Sequence, residues 1–287
     1  MLNFILVTTK HLKSGVLFHD EDDYRAAMNI VAICAFVTGV RVISFILMSN
    51  HVHFVLMGSE AEGRIFIDKF KTFYGKYYFL KYGVHEYLRH LAVDFREVRI
   101  EDESLPRSIA YVQMNCVAAN LVPSAFLYPW GTGQTFFSAL PLTGQRLHNF
   151  SRRKQYRILR TRMDLPQDYL LGESGYILPL SYVEVQFVEQ LFGSPSRYSF
   201  FLNTSSKAKL RLDKSRAPSF PDHIAKGVLD SLVLSLFRAP SFSSLDANDK
   251  VEALKQLQRR LNLESKQLSR LSGIKEEEIV QMLDTFS

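Results

Sequence analysis

Residues 44–58 read SFILMSNHVHFVLMG: two apolar runs meet at Ser49 and Asn50, and His51 and His53 interrupt the second. In an extended strand, residues two apart share a face, so both imidazoles project together while Val52 and Phe54 point the other way. Imidazoles paired on one face can share a metal ion; the alternative is two hydrogen-bonded histidines at a strand end. About sixty residues on, YVQMN sets Tyr111 and Asn115 four apart. That is one helical turn, which puts a phenol and a carboxamide oxygen on one face. The phenol is a candidate nucleophile and the carboxamide a candidate third metal ligand. Alone, a tyrosine at helical spacing is more often core, and a lone asparagine more often a capping or solvated group.

The elements that must hold these groups are legible in outline. Residues 3–9, NFILVTT, predict a first strand, and DEDDYRAAMNIVAICAFVTG predicts an apolar-rich helix with acidic residues at its start, where they suit the helix dipole, and Gly39 at its end. RVISFILM and HVHFVLM predict a hairpin about Ser49 and Asn50. A second helix over about 61–82 carries Phe66, Phe70, Phe73, Tyr77 and Leu80 as one stripe, read as core, with Tyr74, Tyr78 and Tyr82 off it. DFREVRI follows as an edge strand, which gives the β-α-β-β-α-β order of a ferredoxin-like antiparallel sheet. SLPRSIAYVQMNCVAANLV predicts a further helix, with Ser104 as its cap and Pro106 in its first turn. After Pro123 comes a turn-rich loop, YPWGTGQTFF, then a basic segment over 146–162, then a mostly helical remainder. Residues 213–223 and 238–249 read as linkers between small helical pieces. The main boundary is expected near 145.

With 287 residues, 47% of them hydrophobic and 13% aromatic, the chain can bury a substantial core and is not a disordered protein. A formal charge of +6 biases its partners toward polyanions such as nucleic acid. Cys34 and Cys116 sit far apart in apolar surroundings, so no disulfide framework is expected. The apolar run between Arg25 and Arg41 is too short for a bilayer and holds Asn29 and Gly39. Nothing at the start reads as a signal peptide. A cytoplasmic soluble protein with no membrane partner is expected.

Together the motifs resemble the HUH superfamily of single-strand DNA endonucleases, specifically the single-tyrosine transposases of the REP-associated branch. The resemblance rests on LMSNHVHFVL, with Ser49 where that family usually has proline, and on YVQMNCVAANLV, with Cys116 in place of another usual proline. It rests also on the aromatic and basic helix between them and on the YPWGTG loop. It covers residues 1 to about 140. It implies an α+β HUH nuclease fold over 1–145; beyond it, the basic segment and helical region over 146–287 read from the residues as a DNA-assisting or self-packing unit. It implies Tyr111 as nucleophile, and His51, His53 and Asn115 as ligands of Mg²⁺ or Mn²⁺. The reaction implied is cleavage and rejoining of DNA at hairpin repeats through a 5′-phosphotyrosine. A covalent intermediate preserves the bond energy for rejoining, so no separate energy cofactor is expected.

DNA would need cationic and stacking groups. From Ser104 to Met163 there is no Asp or Glu, while Arg107, Arg152, Arg153, Lys154 and Arg157 lie in that stretch. Arg64, Lys69, Lys71 and Lys76 punctuate the second helix, where Tyr74, Tyr78 and Tyr82 could stack bases. The C-terminal LKQLQRRLNLESKQLSRLSGIKEEEIVQML suggests three short helices with Gly273 turning into the last; three successive glutamates disfavour that last helix as a DNA reader. A hairpin-DNA-binding regulator that no longer cuts, and a phosphohydrolase using the histidines with water, are the competing readings. Whether the site is assembled in one chain or across a homodimer is left open by the sequence.

Overall fold

The computed structural model describes residues 2–12, 15–85, 88–138, 142–205, 220–261 and 263–284. The chain divides into two compact units, one of residues 1–10, 22–48 and 52–213, the other of residues 11–21, 49–51 and 214–287. No helix among the described residues is long and apolar enough to cross a membrane.

In the larger unit, Phe4–Thr9 (β1) is apolar or β-branched throughout and almost wholly buried, as a strand inside a sheet must be. Helix α1 (Glu21–Thr38) ends at Gly39, whose φ of 68° is a left-handed conformation that only glycine adopts freely. Strands β2 (Arg41–Met48) and β3 (His51–Met57) follow, then α2 (Glu60–Tyr82) and β4 (Val93–Val98). The β-α-β-β-α-β order is the one expected, and the antiparallel sheet runs β2-β3-β1-β4. Ser59 and Glu62 form a reciprocal capping box at the start of α2.

The two faces of this sheet carry different chemistry. On one, Gly63 of α2 lies so close that an added Cβ would come within 3.1 Å of Ile5 and 3.3 Å of Val7. Phe54 packs edge-on against Phe66 and Phe70 of the same helix. The registers Thr8↔His53 and Thr8↔Asp94 put a polar row on the other face. Phe66, Phe70 and Tyr77 are core as expected, but Leu80 is 74% exposed and Phe73 only half-buried. The buried stripe runs instead through Tyr74 and Tyr78, which corrects the expectation that these rings stack bases.

At this end of α2, Tyr77, Lys81 and Tyr82 close over a buried carboxylate. Asp23 accepts from the Tyr77 hydroxyl at 2.9 Å, Lys81 at 2.8 Å and the Tyr82 hydroxyl at 2.9 Å. Burial and the Asp23 charge push the Tyr77 phenol above its ordinary pKa, so it stays a donor. Asp23→Ala would leave the Tyr77 and Tyr82 phenols and the part-exposed Lys81 ammonium without their acceptor; a loss of about 1–3 kcal/mol in urea-denaturation stability is expected. Asp23→Asn, which keeps the shape, should cost less.

Helix α3 (Ser104–Gln113) is shorter than expected: the helix breaks at Met114 and resumes as α4 (Asn115–Ala118). Ser104 is not its cap. The Ser104 hydroxyl instead accepts from the Arg99 N–H, and the Asp102 carboxylate accepts the Ser104 N–H. The YPWGTG segment is more ordered than a loop. Trp130 O accepts from Leu47 N at 2.8 Å and Thr132 N donates to Phe45 O at 3.1 Å, so the segment lies along β2. A Cβ on Gly131 would sit 2.6 Å from the Phe45 carbonyl oxygen, which explains the glycine. Gly131→Ala is expected to lower the thermal midpoint, at a cost of about 1–3 kcal/mol.

The rest of the unit comprises β5 (Gly144–Arg146), α5 (Arg152–Leu159), β6 (Leu170–Gly172), α6 (Val185–Phe192) and α7 (Pro195–Thr204). Arg41 forms a two-pronged ion pair with Glu184, and the Asn29 side chain accepts from Ile177 N, joining Glu184 and Ile177 to β2 and α1.

The smaller unit packs α8 (Asp222–Phe237), α9 (Ala247–Leu261), α10 (Ser265–Ser272) and α11 (Glu276–Asp284) around Leu229, Leu232, Leu254, Leu257, Leu268 and Ile279. Gly273, φ 76°, makes the expected turn into the last helix. Of the expected linkers, 213–219 lies outside the described residues, while 222–223 open α8 and 247–249 open α9.

Candidate active site

His53 sits on β3 with Nδ1 2.9 Å from Thr8 Oγ1 on the neighbouring strand. That engagement fixes the ring's orientation and makes Nε2 the nitrogen able to coordinate. The ring meets Tyr111 of α3 edge-on, centroids 5.6 Å apart at 89°. Phenol and imidazole thus come together from the polar face of the sheet and the helix laid over it. Tyr111 is half-buried and lines a cleft of about 760 Å³ with Thr8, Asp94, Arg96, Arg107 and Ser108 among its walls.

Three interactions hold α3 in this place. The Gln113 carboxamide nitrogen donates to Ser44 Oγ at 2.8 Å and Thr132 Oγ1 at 2.6 Å, locking the helix to β2 and the YPWGTG segment. Arg96 of β4 donates to Ser108 Oγ at 3.3 Å, one turn before Tyr111. Asn115 Nδ2 donates to the Tyr111 and Val112 carbonyls at 2.9 and 3.3 Å, taking up carbonyls freed where the helix breaks. The carboxamide is thereby oriented, and its Oδ1 is the atom of that group able to bind a cation.

His51 lies two residues before His53 on the same strand. Its Nδ1 is 2.8 Å from Asn50 Oδ1, and Asn50 Nδ2 donates to the Leu12 carbonyl. The Leu12 bond fixes which way round the amide lies, so Oδ1 must accept and the His51 ring carries its proton on Nδ1. Nε2 then bears the lone pair. Exposed His11 lies flat on this ring, centroids 3.7 Å apart.

The His51 and His53 imidazoles, each engaged at Nδ1, and the Asn115 carboxamide, engaged at Nδ2, are neutral nitrogen and oxygen donors of the kind that suit a divalent ion such as Mg²⁺ or Mn²⁺. Burial pushes the adjacent Cys116 thiol up to about 12, so it is no thiolate competitor. Among the described residues there is no cluster of three His, Cys, Asp or Glu side chains that could hold a metal. Both imidazoles and Asn115 are buried.

The cationic residues are more dispersed. Arg107 alone of the expected DNA contacts lines the cleft, and it is bonded to Glu103 at 2.9 Å. Arg64 pairs with Glu60 at 2.7 Å and lies over Phe95, Lys71 donates to the Leu91 carbonyl, and Lys69 and Lys76 are exposed on α2. On α5, Arg152 pairs with Asp164 at 2.6 Å, while Arg153, Lys154 and Arg157 are exposed. Asp94, Glu97 and Asp102 join the cleft wall from outside the acid-free stretch, so the cleft is of mixed charge. Thr8, Asn50, Arg96 and Ser108 are the site residues missed in the sequence. Their partners lie 45, 1, 12 and 12 positions away, and only the Asn50–His51 adjacency carried a readable signal.

No protein-family model matches the chain, and no curated protein matches it. Among solved structures it is similar to one described as a REP-associated tyrosine transposase bound to a REP hairpin, at 13% identity over 46% of this chain and 75% of that one, with a TM-score of 0.32.

Proposed function

We propose that the protein is a metal-dependent single-strand DNA endonuclease and strand transferase of the HUH single-tyrosine kind, acting on hairpin-forming repeats. The observation that carries this reading is the meeting of the buried, Thr8-held His53 with Tyr111, which itself lines an open cleft. Histidine buried purely for packing has no need of a half-exposed phenol beside it.

In the proposed reaction the Tyr111 oxygen attacks the scissile phosphorus. A bond forms between Tyr111 Oη and phosphorus, the bond from phosphorus to the 3′-oxygen breaks, and the phenolic proton is lost while the departing 3′-oxygen gains one. The products are a 5′-phosphotyrosine and a free 3′-hydroxyl. A divalent ion, held by His51, His53 and Asn115 when bound, supplies charge withdrawal from the phosphate. Asn115 anchors the Tyr111 carbonyl and so keeps nucleophile and donor set in one register. Arg96 offers a guanidinium in the same cleft for the phosphate charge. The exposed Arg153, Lys154 and Arg157 would neutralise flanking phosphates.

A hairpin-DNA-binding regulator that does not cut is the second reading. It draws on the burial of both imidazoles, which is also how strand-end histidines satisfied at Nδ1 are placed. Incubating the full chain with end-labelled hairpin DNA and Mn²⁺ separates the two. A denaturation-resistant protein–DNA adduct supports strand transfer; retarded DNA without adduct supports binding alone.

A further inference from the structure

Within the smaller unit, a buried carboxylate that the reaction does not use is joined to the turn that precedes His51. Asp222, at the first position of α8, is 3% exposed. Arg270 donates to it from Nε at 2.9 Å and from Nη2 at 3.1 Å, and Gln267 Nε2 donates at 2.8 Å. The remaining bond comes from Ser49, whose hydroxyl donates to Asp222 Oδ2 at 2.5 Å. A hydroxyl bonded to a carboxylate at this distance is charge-assisted and stronger than a neutral pair. The turn is held from the main chain as well. Leu17 N donates to the Ser49 carbonyl at 2.6 Å, and Leu12 N donates to the Asn50 carbonyl at 2.9 Å.

We propose that Asp222 is a positioning residue for the His51 imidazole, acting through the Ser49 hydroxyl and the Ser49–Asn50 turn. The inference rests on the metal-binding reading of His51 given above. Its physical content is a chain of fixed groups. Arg270 and Gln267 immobilise the carboxylate, the carboxylate immobilises Ser49, and the turn so held presents Asn50 to Leu12 and to His51 Nδ1. Asn50 in turn sets the tautomer and plane of the ring. Partners one shell out from a metal ligand commonly govern affinity by about 10–100-fold. The smaller unit would then keep its own imidazole ready for an ion.

The test uses the full chain and Mn²⁺ alone, followed by the electron paramagnetic resonance of the free ion. Ser49→Ala cuts the link while leaving the Asp222–Arg270 pair intact, and Ser49→Thr keeps a hydroxyl. Ser49→Ala should weaken Mn²⁺ binding by about 10–100-fold with an unchanged metal-free thermal midpoint, and Ser49→Thr should restore it. In nitrogen-15 spectra the His51 imidazole signals should move in Ser49→Ala while those of His53 hold. Wild-type affinity and an unmoved His51 signal in Ser49→Ala would overturn the inference alone, provided His53→Asn abolishes binding. Equal loss in Ser49→Thr, or a fall in thermal midpoint that accounts for the weakening, would overturn it too. Absence of Mn²⁺ binding by the wild-type chain would overturn both this inference and the metal-binding reading beneath it.

Discussion

Tyr111→Phe is expected to abolish the covalent DNA adduct and to lower strand cleavage by about 10⁴-fold or more, since removal of a nucleophile leaves only binding and electrostatics. The substitution deletes one oxygen from a half-buried ring at the cleft wall. The ring keeps its edge-on packing against His53, and the helix keeps the Asn115 bond to its carbonyl, because that bond uses the main chain. Fold, thermal midpoint and hairpin binding should therefore stay near those of the wild-type chain. A variant that binds hairpin DNA normally and forms no adduct separates chemistry from recognition in one measurement. If cleavage persisted in Tyr111→Phe without adduct, water rather than the phenol would be the nucleophile, as in the phosphohydrolase reading.

His53→Asn should cost cleavage on the order of 10³-fold, about 4 kcal/mol of transition-state stabilisation. Asparagine is chosen over alanine because His53 is wholly buried and a truncation there would open a cavity. The asparagine amide can still meet Thr8 Oγ1 but places nothing where Nε2 stood. The loss should appear in the Mn²⁺ dependence of adduct formation, at an unchanged affinity for hairpin DNA. An equal loss of DNA affinity would mean that His53 supports the fold of the cleft rather than an ion.

Much of this arrangement could be read from local pattern, because it depends on local geometry. Two-residue spacing in a strand put His51 and His53 on one face, and the alternation of apolar runs gave the order of sheet and helices. What escaped depended on distant partners. The bonds that close the C-terminal end of α2 run from Tyr77 and Tyr82 to Asp23, 54 and 59 residues earlier, whose buried carboxylate accepts from both phenols. The break at Met114 lies between Gln113, whose carboxamide bonds to Ser44 of β2, and Asn115, whose carboxamide bonds to the Tyr111 carbonyl. Periodicity cannot report such bonds. Arg41 and Glu184 are an ordinary pair of surface residues in the sequence until the fold brings them together. The basic segment showed its charge in the sequence, but not that Arg152 and Arg107 are already paired with acids.

The central claim is that the Tyr111 oxygen becomes covalently joined to DNA. Trapping the adduct with hairpin DNA and Mn²⁺, digesting the protein, and sequencing the nucleotide-bearing peptide by mass spectrometry tests it most directly. The account requires the added 5′-phosphonucleotide on Tyr111. A modified peptide bearing it on any other residue, or cleaved DNA with no modified peptide at all, would contradict it.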